Sequence, residues 1–319
     1  MKPSPLTLTL ALTLTFAPSL VAQDKPAEKA KNVAKREAKA EVAREPSAGT
    51  TLREFTYKRA SGTDLKLFVH HPNGWKAADK RPAIVFFFGG GWKNGTPNQF
   101  FMQADYLATR GMVAARADYR VQSRQGVTPD ACVEDAKSAV RWMRAHAAEL
   151  GVDPDRIVAG GGSAGGHTAA CTAMCEGFEA MGEDAKVSSK PNALVLFNPA
   201  LDLAALNVVG QWSAGKDIIP RMDPARHITK GLVPTVMFFG TADRMFDHAR
   251  EFAAKAAPLG NRVDLYSAAD MPHGFFNRPP WTEITARQAD AFLTSLGYLK
   301  GEPTLKLPPA TEVALKREK

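Results

Sequence analysis

Residues 158–166 read Val-Ala-Gly-Gly-Gly-Ser-Ala-Gly-Gly, which places Ser163 in a G-x-S-x-G pattern made by Gly161 and Gly165. A serine on a tight strand-to-helix turn presents its hydroxyl outward, and neighbours without a Cβ let the chain pass through that turn. Such a hydroxyl is a candidate nucleophile. At the N-terminal end of the following helix, the Ala164 amide is placed to donate to a developing oxyanion. The competing reading is a phosphate-binding loop on Gly160, Gly162 and Gly165. Against it, the run falls in the third main crossover rather than the first, and no Lys-Ser/Thr follows. Phe88-Gly89-Gly90-Gly91-Trp92 supplies a second glycine run, whose unobstructed amides suit the same oxyanion; the alternative is a flexible turn.

A serine nucleophile needs a base, and the base needs an orienting carboxylate. Among the seven histidines, His70 and His71 end an early strand, His146 and His248 sit on helices beside charged residues, and His167 lies four residues beyond Ser163 on the same helix, pointing along it. His273 differs: it stands in Met271-Pro272-His273-Gly274-Phe275, after the last strand, between a Pro and a Gly that fix its turn. A buried structural histidine is the alternative there. The previous strand ends in Phe238-Phe239-Gly240-Thr241-Ala242-Asp243, so Asp243 is the candidate carboxylate, with a helix N-cap role for Asp243 or Asp247 as the rival. The order Ser163, Asp243, His273 is that of the α/β-hydrolase fold.

These loops require strands beneath them. Leu52–Lys58 and Asp64–His71 alternate like an antiparallel pair joined by Ser61-Gly62, and Pro82–Phe88 is a continuous apolar run suited to a strand buried on both faces. Helices are expected near Gln99–Arg110, Pro129–Leu150, after Ser163, at Met245–Ala257 and at Glu283–Leu296. Strands are expected at Met112–Ala117, Arg156–Ala159, Ala193–Asn198, Thr235–Phe239 and Arg262–Ser267. This alternation predicts an α/β fold with a mostly parallel eight-stranded sheet, helices on both faces, and ligands bound beyond the carboxyl ends of the strands. Ala200–Leu232 lacks a clear period and is a candidate short lid. No internal repeat or second domain is visible.

The chain of 319 residues is 45% hydrophobic and 23% charged, which excludes a disordered or collagen-like protein. Its net charge of +8 raises the question of a nucleic-acid partner. Residues 1–48 hold eight Lys/Arg against five Asp/Glu, and residues 300–319 hold five against three, so the body between is too dilute for a binding stripe. No nucleic-acid-binding signature accompanies it. Met1-Lys2, the Leu/Thr-rich run from Leu6 to Val21 and the small residue Ala22 read as a cleaved signal peptide over residues 1–22. A membrane anchor is the alternative, but Thr7, Thr9, Thr13 and Thr15 dilute the run and it is shorter than a spanning helix, so no membrane span is expected after cleavage. The expected organisation is then a charged Ala/Lys/Glu-rich spacer at 23–50, a catalytic domain at 51–299 and a tail at 300–319, in a secreted or periplasmic protein. Cys132, Cys171 and Cys175 are an odd count, which excludes a disulfide framework; buried thiols are favoured over a bridge from Cys132 to one of the other two.

Together these pieces resemble the α/β-hydrolase esterases related to hormone-sensitive lipase and the bacterial acetyl (carbohydrate) esterases, over roughly residues 52–298. The resemblance rests on Gly89-Gly90-Gly91-Trp92, Asp118-Tyr119-Arg120, the elbow at 162–166, Gly240-Thr241-Ala242-Asp243 and Pro272-His273-Gly274-Phe275. It implies a serine carboxylic-ester hydrolase with Ser163, Asp243 and His273 as the triad, and Gly90, Gly91 and Ala164 as the oxyanion hole. It also implies Asp118 and Arg120 as supports of the oxyanion loop, a plain surface pair being the other reading. No metal or organic cofactor is implied. Two departures stand out. Phe88 replaces the histidine that usually precedes the glycines, and the charged spacer replaces the family's helical cap, so an open site is expected. The expected partner is a small-molecule or polysaccharide ester, with short acyl or aryl esters of carbohydrates favoured over the long chains of a lipase substrate. Trp92, Phe100, Phe101, Trp212 and Trp281 are candidates for a sugar-binding cleft, although such residues are more often core. A peptidase or a non-catalytic binding protein on the same fold is the remaining alternative.

Overall fold

Arg81–Phe87 (β3) shows why the sheet forms: Ala83, Val85 and Phe87 enter the core on one face, while Ile84 and Phe86 enter the core on the other. A strand apolar on both sides must be covered on both sides. In the computed structural model, which describes Met1 and residues 45–206, 218–309 and 311–318, that covering is complete. The leader run at 6–21, most of the spacer, Trp212 and the middle of the candidate lid lie outside the described residues.

Thr51–Ala60 (β1) and Thr63–His71 (β2) pair antiparallel across Ser61-Gly62, both residues at positive φ as a two-residue hairpin turn demands. Then follow Phe101–Thr109 (α1), Val113–Ala117 (β4), Pro129–Ala145 (α2), Val152–Gly162 (β5), Ala164–Met174 (α3) and Ala193–Phe197 (β6). Thr235–Gly240 (β7), Phe246–Ala256 (α4), Val263–Ala268 (β8), Trp281–Ser295 (α5) and Lys316–Arg317 (β9) complete the order. The helix expected to run to Leu150 stops at Ala145, and Ala147–Leu150 forms a separate turn after His146.

The sheet runs β1-β2-β4-β3-β5-β6-β7-β8-β9, parallel from β4 through β8 and antiparallel at both ends. It has the α/β-hydrolase architecture with nine strands rather than the eight expected. The ninth comes from the tail. Two residues carry no readable alternation, and β9 is held by distant partners: the Glu318 amide donates to the Leu265 carbonyl at 2.8 Å, the Ser267 hydroxyl to Glu318 at 2.6 Å, and Arg317 pairs with Asp264.

α2, α3 and α4 cover one face, α1 and α5 the other. Under the carboxyl ends of the central strands lies an aromatic cluster: Phe100 stacks on Phe86 at 4.9 Å, and Phe197 packs against Phe238 at 5.2 Å and Phe276 at 4.9 Å. Phe100, Phe101 and Trp281 are therefore core, not cleft, residues. Cys132, Cys171 and Cys175 are buried free thiols, so the alternative bridge is absent. Phe197 is fully buried at the centre of this cluster. Phe197→Ala is expected to lower the unfolding free energy by about 3–5 kcal/mol, read as a lower urea midpoint at unchanged m value.

Candidate active site

Five adjacent parallel strands, β3, β5, β6, β7 and β8, deliver five loops to one rim. β5 ends at Gly162, and Ser163 follows with φ 53° and ψ −120°, a backbone conformation costing about 1–3 kcal/mol for a residue with a Cβ. The turn is held from both sides: the Ser163 amide donates to the Phe197 carbonyl at 2.9 Å, and the Ser163 carbonyl accepts from His167 at 2.9 Å. Gly165 is required by proximity. A Cβ there would collide with the carbonyl oxygens of Phe87 and Phe88, at the end of β3.

The structure brings the three predicted side chains together. His273 Nε2 lies 2.9 Å from Ser163 Oγ, and His273 Nδ1 lies 2.7 Å from Asp243 Oδ2. An ionised carboxylate only accepts, so Nδ1 carries the proton and Nε2 is free to accept from the serine. Asp243 is buried and its second oxygen accepts from the Met245 amide at 3.0 Å, so it serves both the histidine and the entry to α4. The rival N-cap residue, Asp247, is exposed and pairs with Arg250 at 3.6 Å. Asn198, which the sequence did not mark, ends β6 at φ 37°; its Oδ1 accepts from the Gly274 amide at 3.2 Å and its Nδ2 lies 3.4 Å from His273 Nε2.

The glycine loop after β3 divides its amides by task. The Gly89 amide is committed to Gln99 Oε1 at 2.6 Å, whereas those of Gly90, Gly91 and Ala164 meet no acceptor among the described residues. Gly90 has φ 128°, and a Cβ there would strike the Asn94 carbonyl. Its own carbonyl accepts from Lys93 and Asn94, each at 3.1 Å. Phe88, which stands where the resemblance implies a histidine, stacks on Tyr119 at 4.0 Å, and the Tyr119 hydroxyl donates to the Phe88 carbonyl.

The supporting roles implied for Asp118 and Arg120 are redistributed. Asp118 pairs with Arg124 at 2.7 Å, and Arg120 turns away to Asp135 at 2.8 Å and Glu134 at 2.7 Å. The loop is held instead by Tyr119 and by two backbone bonds, Gln122 amide to Trp92 carbonyl and Ser123 amide to Lys93 carbonyl, each 3.0 Å. From the opposite side, Trp92 Nε1 donates to His167 Nδ1 at 3.2 Å, and His167 Nε2 donates to the Met222 carbonyl at 2.7 Å. Burial pulls the His167 pKa down to about 4, which keeps the ring neutral and able to accept. No local signal marked His167 or Gln99 for these tasks, and Tyr119 stood out only as the middle of Asp118-Tyr119-Arg120, because the partners lie elsewhere in the chain.

Ser163 and His273 open into a cavity of about 210 Å³ walled by Gly91, Trp92, Ala200, Leu206 and Met245, with the cations Lys93 and Arg244 also lining it. Of the aromatic cleft candidates described, Trp92 alone reaches it. Among the described residues, no group of three or more His, Cys, Asp or Glu side chains is placed to hold a metal ion, and no helix is long and apolar enough to cross a membrane.

The arrangement has relatives. The BD-FAE family profile matches residues 69–255. Carboxylesterase NlhH of Mycobacterium tuberculosis is 30% identical over 266 residues, covering 73% of this chain and 79% of that protein. A probable isoprenylcysteine alpha-carbonyl methylesterase of Arabidopsis thaliana is 31% identical over 227 residues, covering 62% of this chain and 47% of that protein. The chain thus spans about half the length of that plant protein and of its rice counterpart. Two structures of Thermogutta terrifontis esterase 2, one phosphoramylated by tabun and one with propionate bound, are each 46% identical over 80% of this chain and 97% of that one, with TM-scores of 0.75 and 0.73.

His71 shares the electrostatic situation of His167: burial, then the charges of Arg53 and His70, lower its pKa from 6.5 to about 4. Between those values the unfolded chain takes up protons at both histidines that the fold excludes. Stability is therefore full above about pH 6.5 and falls as the pH drops toward 4. His71 packs edge-on against Trp75, so phenylalanine fits its apolar surroundings. Urea midpoints measured from pH 7 to pH 4 are expected to decline less steeply in His71→Phe than in the wild type, by about one proton's worth of slope.

Proposed function

The chain belongs to the BD-FAE family, and from that membership and the site geometry we propose that it is a serine carboxylesterase using Ser163, His273 and Asp243. The observation that carries the reading is the unbroken hydrogen-bonded line from Ser163 Oγ through His273 to Asp243, at 2.9 and 2.7 Å. Ser163 Oγ attacks the ester carbonyl carbon while His273 Nε2 takes its proton, and Asp243 stabilises the imidazolium that results. The amides of Gly90, Gly91 and Ala164 receive the charge on the tetrahedral oxygen, each worth about 3 kcal/mol of barrier. His273 then returns the proton to the departing alcohol, and water attacks the acyl-enzyme by the same route in reverse.

The cavity favours short acyl groups, in keeping with a propionate-bound relative. Esters of carbohydrates are the finer part of the proposal: His273, with 42% of its side chain exposed, leaves a bulky alcohol room to approach. Export through the leader at 1–22 belongs to the same reading.

Ser163→Ala is expected to lower turnover of 4-nitrophenyl acetate by about 10⁴-fold or more and to abolish the covalent adduct with a fluorophosphonate seen by mass spectrometry. Undiminished activity in that variant overturns the assignment. Across a series of 4-nitrophenyl esters, kcat/KM should favour acetyl to butyryl over octanoyl, and acetylated xylan should release acetate; preference for long-chain triglyceride contradicts the substrate reading. Protein recovered from the periplasm or medium should begin at Gln23.

A further inference from the structure

Two side chains outside the triad join the two loops that must cooperate in the reaction. Gln99 Oε1 accepts from the Gly89 amide at 2.6 Å, and Gln99 Nε2 donates to Asn277 Oδ1 at 3.0 Å. Asn277 Nδ2 in turn donates to the Gly274 carbonyl at 3.0 Å, one residue beyond His273. Each amide accepts through oxygen and donates through nitrogen, so the line has a single direction from the oxyanion loop to the histidine loop. At Gly274 it meets Asn198, whose Oδ1 takes the amide of the same residue. The Gly274 N–H is thus held by the Asn198 side chain, and its C=O by Asn277 through both the side chain and, at 3.1 Å, the backbone amide.

We propose that Gln99 and Asn277 are positioning residues that set the oxyanion amides and the base in register with one another, an inference that rests on the esterase reading above. The reaction needs the amides and His273 to be correct simultaneously relative to Ser163. Gln99 fixes Gly89, the residue before the proposed donors Gly90 and Gly91. Asn277 fixes Gly274, the residue after the proposed base. Asn277 is exposed and Gln99 half-buried, and a hydrogen bond in such a place adds little to folding. The bridge therefore acts on geometry more than on stability.

The test is a double-mutant cycle on the full chain with 4-nitrophenyl butyrate. Gln99→Leu and Asn277→Ala should each lower kcat by about ten- to a hundredfold with little change in KM. The double variant should lose no more than the worse single one, since either change breaks the same line. Gln99→Glu keeps an acceptor for the Gly89 amide and should recover part of the kcat lost in Gln99→Leu. Thermal midpoints should barely move. Losses that multiply, losses confined to KM, or wild-type kcat in both single variants overturn the proposal. If that happens while Ser163→Ala is inactive, the bridge falls and the esterase reading stands; turnover that survives Ser163→Ala removes both.

Discussion

Nothing larger than hydrogen can stand at position 165, and the site depends on that. The N-terminus of α3 lies so close to the end of β3 that a Cβ would collide with the Phe87 and Phe88 carbonyls. This approach brings the turn bearing Ser163 beside the loop bearing Gly90 and Gly91. An alanine would push the helix outward and move Ser163 away from that loop. The surrounding sequence serves the same end: α3 reads Ala-Gly-Gly-His-Thr-Ala-Ala-Cys-Thr-Ala-Met, small enough to be buried on every side.

Close approach of backbones leaves polar groups stranded in an apolar interior, and the structure answers with neutral partners. His167 is uncharged because burial disfavours the cation, and so it can accept from Trp92 while donating to Met222. Tyr119 closes the other flank, its ring on Phe88 and its hydroxyl on the Phe88 carbonyl. At the position before the glycines, this chain thus relies on aromatic stacking and one hydrogen bond. Three of its non-glycine residues with positive φ, Trp92, Ser163 and Asn198, gather around the site. Such conformations persist only where packing over-determines them, and the cluster of Phe86, Phe100, Phe197, Phe238 and Phe276 lies directly beneath.

The triad candidates were readable because each is announced by its immediate neighbours. Gly161-x-Ser163-x-Gly165 encodes a strained turn, Pro272-His273-Gly274 a fixed loop, and the apolar strand before Asp243 ends within a few residues of it. Strand β3 was equally plain, since burial on both faces writes a continuous apolar run. The parallel architecture followed from strands and helices alternating at crossover spacing.

What the sequence alone determined is therefore local: the elements, their alternation and the residue types at the strand ends. Tertiary structure decided the rest. It turned Arg120 to Asp135 instead of the oxyanion loop, recruited His167 and Tyr119 to hold Trp92 and Phe88, joined Gln99 to Asn277, and drew Lys316–Arg317 onto β8 as a ninth strand. Each of these pairs residues that are not neighbours in the chain, and a hydrogen bond between distant side chains leaves no periodicity behind. Only folding five adjacent strands to one rim brings such partners within reach.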